Sequence, residues 1–155
     1  NWFKKNGDEL GANYCQLYLA ATIMFKGDNS SALKMLFPIL EDFERENDSY
    51  AMMRCHHIIG MTYSIGNSER SFSYLKKAIA TAEKYHYEKF LTIAYNDFGV
   101  ALSEANQPEL GLVYAQKALN LDTKNNDKAR LSVSLSTVGE NYMALKSFDL
   151  AMPFL

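Results

Sequence analysis

A small residue recurs along this chain at a nearly constant spacing, and that recurrence constrains the fold more than any other feature. Alanine or glycine stands at intervals of 40, 39 and 40 residues, at Ala20, Gly60, Gly99 and Gly139. A second small residue follows 11 or 12 positions later, at Ala32, Ser71, Gly111 and Ala151. A fixed period of this length indicates a repeat protein, in which each unit is one supersecondary element stacked on its neighbours.

Each repeat also has apolar positions in a constant register. A large residue stands three positions after the first small residue, at Ile23, Tyr63, Leu102 and Tyr142. An apolar residue follows the second small residue by seven positions, at Ile39, Ala78 and Ala118. This pattern predicts two antiparallel helices joined by a short polar turn. The two small residues would meet where the helices cross, and a larger side chain there would cost ~1–3 kcal/mol in overpacking.

The repeats predict a single helical domain over residues 1–155, with repeats at roughly 13–49, 50–87, 88–126 and 127–155. Helices are expected near 13–26, 30–46, 50–65, 68–86, 88–105, 108–121, 127–145 and 148–155. Pro38 and Pro153 fall inside predicted helices, where each should kink the helix or remove a backbone hydrogen bond. We also expect Trp2, Phe3 and Leu10 to pack as the tail of a preceding repeat.

The spacing of small, large and apolar residues resembles the tetratricopeptide repeat, most closely at residues 98–119. The resemblance implies an all-α fold, a right-handed α-α superhelix of about three and a half helix hairpins. The period of 40 departs from the usual ~34 and overlaps that of HEAT and armadillo arrays. Ala20 replaces the first glycine, and the first helices lack the usual tryptophan. Repeats with such long helices look like those of bacterial signalling proteins.

In the tetratricopeptide family the first helix of each pair lines a concave groove that binds peptides or proteins. Helical spacing from the first small residue carries that role to ten positions: Tyr14, Leu17, Met24, Arg54, His57, Met61, Asn96, Val100, Glu140 and Met143. By the same spacing Phe25 and Val133 also face the groove. Methionine and aromatic side chains suit adaptable contact with an apolar or helical peptide. Leu17 and Ala21 occupy positions where chaperone-binding members clamp a terminal carboxylate, so that specificity is not expected.

Charge and hydropathy exclude several kinds of partner. The 18 acidic and 16 basic residues nearly cancel and form no basic stripe, which argues against nucleic acid. No apolar run approaches the ~18 residues that span a bilayer, so membrane insertion is not expected. The chain lacks an initiating methionine and ends inside an apolar pattern, so we expect it to be part of a longer protein. The cytoplasm is slightly favoured, or the periplasm if the chain is the sensor of a membrane-anchored protein.

No pattern of catalytic or metal-binding residues stands out, so we expect neither an enzyme nor a cofactor. His56 and His57 are adjacent and would point ~100° apart on a helix, which does not suit a shared metal ion. Cys15 and Cys55 occupy equivalent places in consecutive repeats. Helices packed ~8–10 Å apart hold such residues too far apart for a disulfide, so both are expected to be buried free thiols.

These features predict a peptide- or protein-binding scaffold or sensor module of a larger bacterial signalling protein. Examples are a segment preceding a diguanylate cyclase domain and a peptide-receptor regulator. The alternative is a spacer or self-association segment with no ligand in its groove. The last repeat would leave four apolar residues uncovered, which predicts a homodimer through that end: Val138, Tyr142, Phe148 and Phe154.

Overall fold

The computed structural model describes residues 7–154, and these form consecutive helices with no strand among them. In chain order the helices are α1 Glu9–Phe25, α2 Asn29–Arg45, α3 Ser49–Tyr63, α4 Ser68–Lys84, α5 Glu88–Glu104, α6 Pro108–Asn125, α7 Lys128–Ala144 and α8 Phe148–Ala151. A 3₁₀ turn, Met152–Phe154, follows them. The prediction of an all-helical chain built from successive hairpins is confirmed. Within these bounds no helix combines the length and apolar character needed to cross a membrane.

Most of the helices begin at a side chain that caps their free backbone amides. The Asp8 carboxylate accepts a hydrogen bond of 2.8 Å from the Gly11 amide at the start of α1. Carboxylates also cap α2, α3 and α7, and the Asn67 side chain caps α4. Such caps satisfy donors that the first helical turn leaves unpaired and typically contribute ~1 kcal/mol each. They explain why helices this regular start at these residues.

A residue with left-handed backbone conformation precedes every helix. These residues are Gly7, Gly27, Asn47, Gly66, His86, Asn106, Asn126 and Lys146, with φ between 52° and 96°. Six of the seven intervals between successive left-handed residues are 20 residues long. The interval from Asn47 to Gly66 is 19 residues. A left-handed residue ends a helix and turns the chain into the next one. The 40-residue repeat is therefore two helix-plus-turn segments of about 20 residues each.

The chain divides into two compact units between Thr81 and Ala82, within α4. In unit 1, α1 contacts α2 and α3, and α2 contacts α3. A core of buried side chains joins these helices, with Leu17, Leu36, Phe43 and Ile59 among its largest members. Unit 1 thus combines one helix hairpin with the first helix of the next, and Leu75 of α4 packs on Gly60 of α3.

Unit 2 has the same local arrangement. Here α5 contacts α6 and α7, α6 contacts α7, and α8 with the 3₁₀ turn packs on α7. Phe98, Leu102 and Val138 are almost fully buried within it. Val138 was expected to be uncovered, and that expectation is wrong because α7 packs against α6 on one side and α8 on another. Phe148 is exposed, as expected, whereas Tyr142 is half-buried with its ring 5.8 Å from that of Phe154.

The small residues lie where paired helices approach closely, as predicted. A Cβ atom built on Gly99 would come within 3.0 Å of the Gly111 carbonyl oxygen, and one on Gly111 within 2.6 Å of the Gly99 oxygen. At Gly60 the nearest atom is Cγ of Leu75, at 2.7 Å. Glycine lets these backbones come together because it has no side chain to place between them.

Three predicted helix limits are wrong. The helix expected over 108–121 ends at Asn125, because Asn126 takes the left-handed conformation that ends it. The first helix begins at Glu9 and not near residue 13, because Asp8 caps it. The last α-helix ends at Ala151 and not at residue 155, because Pro153 lacks the amide needed to continue it and the chain tightens into a 3₁₀ turn. Pro38 lies inside α2, which runs on past it to Arg45. Leu10 belongs to α1, while Trp2 and Phe3 lie outside the described residues.

Candidate binding surfaces

The first helices of neighbouring hairpins contact one another in each unit, and they present the residues predicted to line a groove. In unit 1 these helices are α1 and α3, and in unit 2 they are α5 and α7. We call the partly exposed predicted residues of unit 1 the α1/α3 face: Tyr14, Met24, Arg54, His57 and Met61. Those of unit 2 form the α5/α7 face: Val100, Val133, Glu140 and Met143.

Two of the predicted groove residues are buried. Leu17 belongs to the hydrophobic core of unit 1 and has almost no exposed surface. Asn96 lies inside unit 2, where its amide nitrogen donates a hydrogen bond of 2.9 Å to the Ser134 hydroxyl. Helical spacing predicted that both side chains face the ligand in the groove. In the structure the next first helix covers this side of α1 and α5, so both side chains lie in the interior and the predicted exposure is wrong.

Tyr14 has a clear structural role on the α1/α3 face. Its hydroxyl donates a hydrogen bond of 2.5 Å to the carboxylate of Asp48, which also caps α3 through the Ala51 amide. Its ring lies 5.2 Å from that of Phe43. Burial, and then Asp48, raise the pKa of the Tyr14 hydroxyl, which keeps it protonated as a donor. Tyr14 therefore ties the start of α3 to α1.

Arg54 and Tyr18 place a cation beside an aromatic ring at the surface of unit 1. The Arg54 guanidinium carbon lies 5.7 Å from the centre of the Tyr18 ring, within the range of a cation–π interaction. More than half of the Tyr18 side chain is exposed. The pair adds a charged and aromatic contact point next to the α1/α3 face. Sequence analysis predicted Arg54 for this surface but not Tyr18.

Large apolar side chains are exposed on the first helices and in the turn after α3. Phe25 and Ile65 each stand five residues after the first small residue of their repeat, and each is 83% exposed. On α7, Val133 is 55% and Met143 is 43% exposed. Phe25, Val133 and Met143 were predicted from spacing, and Ile65 was missed although it has the same spacing as Phe25. Repeated exposure of large apolar groups is typical of an interaction surface.

A buried polar network in unit 2 was also missed. Ser134 receives the hydrogen bond from Asn96 and donates one of 2.6 Å to Oδ2 of the Asp122 carboxylate. All three side chains are buried. Asp122 and Ser134 carry no motif, since other polar residues stand close to each of them in its helix. Comparison of core positions between repeats would have found them, because the equivalent positions of unit 1 are apolar.

His56 lies in an environment that disfavours its charged form. His56 is buried with its ring 6.0 Å from that of Tyr74, and burial, with a smaller effect of Lys77, lowers its pKa to about 4. Over residues 7–154 no three His, Cys, Asp or Glu side chains are grouped so that they could hold a metal ion.

Both cysteines are free. Cys55 is buried as expected, but Cys15 is exposed because no earlier hairpin in the described range covers that side of α1.

Comparison with protein-family models and with curated protein sequences finds no match to this chain.

Proposed function

We propose that this chain is a tetratricopeptide-like module that binds a polypeptide partner through the first helices of its hairpins. The observation that carries the proposal is the exposure of large apolar side chains on those helices and in the turn after α3, at Phe25 and Ile65 in unit 1 and at Val133 and Met143 in unit 2. Burying such side chains against a partner is favourable by about 25 cal/mol per Å² of apolar surface. In a monomer they would remain in contact with water.

The chemistry of both faces suits a peptide more than a small molecule. A helix of about 17 residues is about 25 Å long, so paired first helices offer an extended surface. Methionines on both faces adapt to different partner side chains. Arg54 and Glu140 add one charge of each sign, which would orient a polar or charged segment. The faces therefore fit an amphipathic or extended segment with apolar anchors.

The sequence resemblance extends this proposal to the context of the module. We place it in a larger bacterial signalling protein, where capture of a partner would regulate an attached output domain. We also propose that the helix hairpins of the chain stack into a right-handed superhelix. The competing function is a spacer or a self-association segment. The exposed side chains of Phe148, Leu150 and Met152, on α8 and the 3₁₀ turn, would provide the surface for self-association.

A random-peptide library displayed on phage tests the proposal, because selection from it does not require an identified partner. We expect selection on the full chain to enrich a family of sequences with spaced apolar anchors. The affinity of synthesised peptides is then measured by fluorescence polarisation against two variants, Met61→Glu in unit 1 and Val133→Glu in unit 2. A peptide bound at one face should lose at least about tenfold in affinity with the matching variant, or about 1.4 kcal/mol.

Val113 supplies a matched control for Val133. It lies on α6, a second helix, and is 50% exposed compared with 55% for Val133. Val113→Glu makes the same chemical change at nearly the same exposure, and we expect it to leave the affinity unchanged. Peptides that bind equally well to both face variants would contradict the proposal. Enrichment only of sequences like residues 148–154 would favour self-association.

A further inference from the structure

The two units correspond residue by residue at an offset of 79. The left-handed residues Gly7, Gly27 and Asn47 have counterparts 79 positions later at His86, Asn106 and Asn126. The small residues at the helix crossings obey the same offset, Ala20 with Gly99 and Ala32 with Gly111. Each side chain of unit 1 can therefore be compared with the one that occupies the same place in unit 2.

Three core positions change from apolar to polar between the units. In unit 1 they are Leu17, Phe43 and Cys55, all members of the hydrophobic core. At an offset of 79 their counterparts are Asn96, Asp122 and Ser134, which are also buried, with Asp122 only 1% exposed. Burying a carboxylate is costly unless its oxygens are paired. Unit 1 shows that the fold does not need polar groups at these positions.

The hydrogen bonds of this polar triad satisfy only one side of the carboxylate. Asn96 donates to Ser134, and Ser134 donates to Oδ2 of Asp122, so both donors point towards the acid. Oδ1 of Asp122 is buried and receives no hydrogen bond from the described part of the protein. The described part of the protein thus supplies a hydrogen-bond donor to one oxygen of Asp122 and none to the other.

A cavity of about 300 Å³ lies beside this carboxylate. Its lining comes from the start of α5, the end of α6 and the start of α7: Glu88, Lys89, Thr92, Asp122, Asn125, Asp127 and Arg130. In unit 1 the equivalent position holds the Phe43 ring, packed 5.2 Å from the ring of Tyr14. The counterpart of Tyr14 in unit 2 is the smaller Ile93. A smaller cavity of about 50 Å³ lies at the equivalent place in unit 1, where its lining includes the counterparts of Glu88, Lys89, Thr92 and Asn125: Glu9, Leu10, Asn13 and Glu46.

Two cations, Lys89 and Arg130, belong to the lining of the cavity. Arg130 Nε lies 3.5 Å from Asp127 Oδ2, and Lys124, outside the lining, places Nζ 3.3 Å from Oε1 of the lining residue Glu88. Arg130 also donates a long hydrogen bond of 3.5 Å to the Thr92 hydroxyl. Within residues 7–154 neither Lys89 nor Arg130 forms an ion pair with Asp122. A ligand that enters the cavity with a positively charged donor would meet a buried carboxylate that needs one.

We propose that this cavity binds a primary ammonium group, carried by a lysine side chain or by the amino terminus of a polypeptide, with Asp122 as its counter-ion. A single free oxygen favours a compact ammonium over a guanidinium, because the planar fork binds best to two free carboxylate oxygens. A desolvated carboxylate attracts such a cation more strongly than an exposed one does. The cavity lies at the start of α5 and α7, and Arg130 of its lining stands one helical turn before Val133 of the α5/α7 face. Binding of an ammonium group at Asp122 does not require the proposed peptide binding at that face.

The proposal is tested by titrating the ¹⁵N-labelled full chain with three probes. Nα-acetyl-lysine methylamide carries a side-chain ammonium, and glycyl-glycine methylamide carries an amino-terminal one. Nα,Nε-diacetyl-lysine methylamide is a neutral match for the first. We expect at least one ammonium probe to shift amide resonances of residues 88–96 and 122–134 saturably, while the neutral probe does not. The probe that binds more tightly identifies the source of the ammonium.

Two variants that replace Asp122, and one control, test the role of the carboxylate. Asp122→Asn keeps the shape and removes the charge, and we expect at least a tenfold loss of affinity. Asp149→Asn removes an exposed carboxylate of the same unit outside the cavity lining and should bind like the wild type. Asn96→Leu with Asp122→Phe and Ser134→Cys copies the unit 1 core into unit 2. That triple variant should unfold at a higher urea concentration and bind neither ammonium probe.

The proposal is overturned if neither ammonium probe binds at the cavity or if the neutral probe binds equally well. Unchanged affinity in Asp122→Asn would overturn it as well. The comparison of charged and neutral probes uses only the wild-type chain, so it decides the question even if both variants fail to fold. Shifts at the lining residues Glu88, Lys89 and Asp122 distinguish this outcome from peptide binding at the α5/α7 face, to which Val133 belongs.

Discussion

Replacement of Gly111 by alanine places one methyl group into the closest helix crossing of unit 2. Its Cβ would lie 2.6 Å from the Gly99 carbonyl oxygen and 2.2 Å from Oδ1 of Asn141. The first neighbour is backbone and cannot rotate away. Asn141 is fully buried, and its amide nitrogen donates a hydrogen bond of 2.8 Å to the Thr137 carbonyl. Relief of the contact therefore requires α6 to move away from both α5 and the Asn141 side chain.

The expected loss of stability follows from three contributions. Overpacking at a tightly packed site costs ~1–3 kcal/mol. Disturbing the Asn141 hydrogen bond costs ~1 kcal/mol more. Alanine in place of glycine within a helix returns ~1 kcal/mol. We therefore expect the free energy of unfolding of Gly111→Ala to fall by ~1–3 kcal/mol, although alanine is the better helix former.

Gly60→Ala is the control because it adds the same methyl group at another close helix crossing, that of α3 and α4 in unit 1. Its closest neighbour would be Cγ of Leu75, at 2.7 Å, and the Leu75 backbone nitrogen lies at 3.0 Å. A leucine side chain can shift its rotamer more easily than a carbonyl can move. The expected loss is thus smaller than at Gly111 by ~1 kcal/mol, since only part of the overpacking remains.

Urea denaturation followed by circular dichroism measures both losses. Residue-resolved NMR at each urea concentration shows which unit unfolds, because repeat proteins can unfold in parts. A loss of 2 kcal/mol would lower the midpoint by about 1 M for a typical slope of roughly 2 kcal/mol per M. The reasoning is refuted if Gly111→Ala is as stable as the wild type or if Gly60→Ala is the more destabilised of the two.

Two further predictions concern unit 1. Burial lowers the pKa of His56 to about 4 from 6.5, so the unfolded chain takes up the proton first as the pH falls. The contribution of neutral His56 to the free energy of unfolding is fully present above about pH 6.5. Between pH 7 and pH 4 the wild type should therefore lose up to ~3 kcal/mol more stability than His56→Gln. Equal losses of stability in the two proteins over this pH range would contradict the prediction. Cys15 is exposed, whereas Cys55 is buried and its pKa is raised to about 12, mainly by burial. One thiol per chain should therefore react rapidly with a disulfide reagent and the second only in urea, because the thiolate is the reactive form; rapid reaction of both would show that the α3 core opens readily.

The helical fold could be predicted from the sequence because its signals are local or periodic. Aspartate and asparagine caps, turn residues and paired small residues act within a few positions of themselves, and they recur in register. The finer period of about 20 residues was missed, although six of the eight left-handed residues are glycine or asparagine, which favour that conformation. His86 and Lys146 interrupt this series of glycine and asparagine.

The surfaces were predicted less completely than the helices. Helical spacing correctly put Glu140 and Met143 at the surface but could not show that Leu17 and Asn96 are covered by the next first helix. Burial depends on which neighbouring helix packs over a position, and that is a property of the assembled unit. The same limit applies to Cys15 and Val138, whose exposures were opposite to those expected.

The order of residues by itself determined that this chain folds into successive helices crossing at small residues, because backbone capping and close helix packing leave a periodic imprint. Only the tertiary structure decided that Asn96, Asp122 and Ser134 meet inside one unit, since they come from three different helices and are linked only by folding. A buried carboxylate with one free oxygen arises from that packing. In the sequence it is marked only by Asp122 at a core position where the equivalent residue of unit 1, Phe43, is apolar.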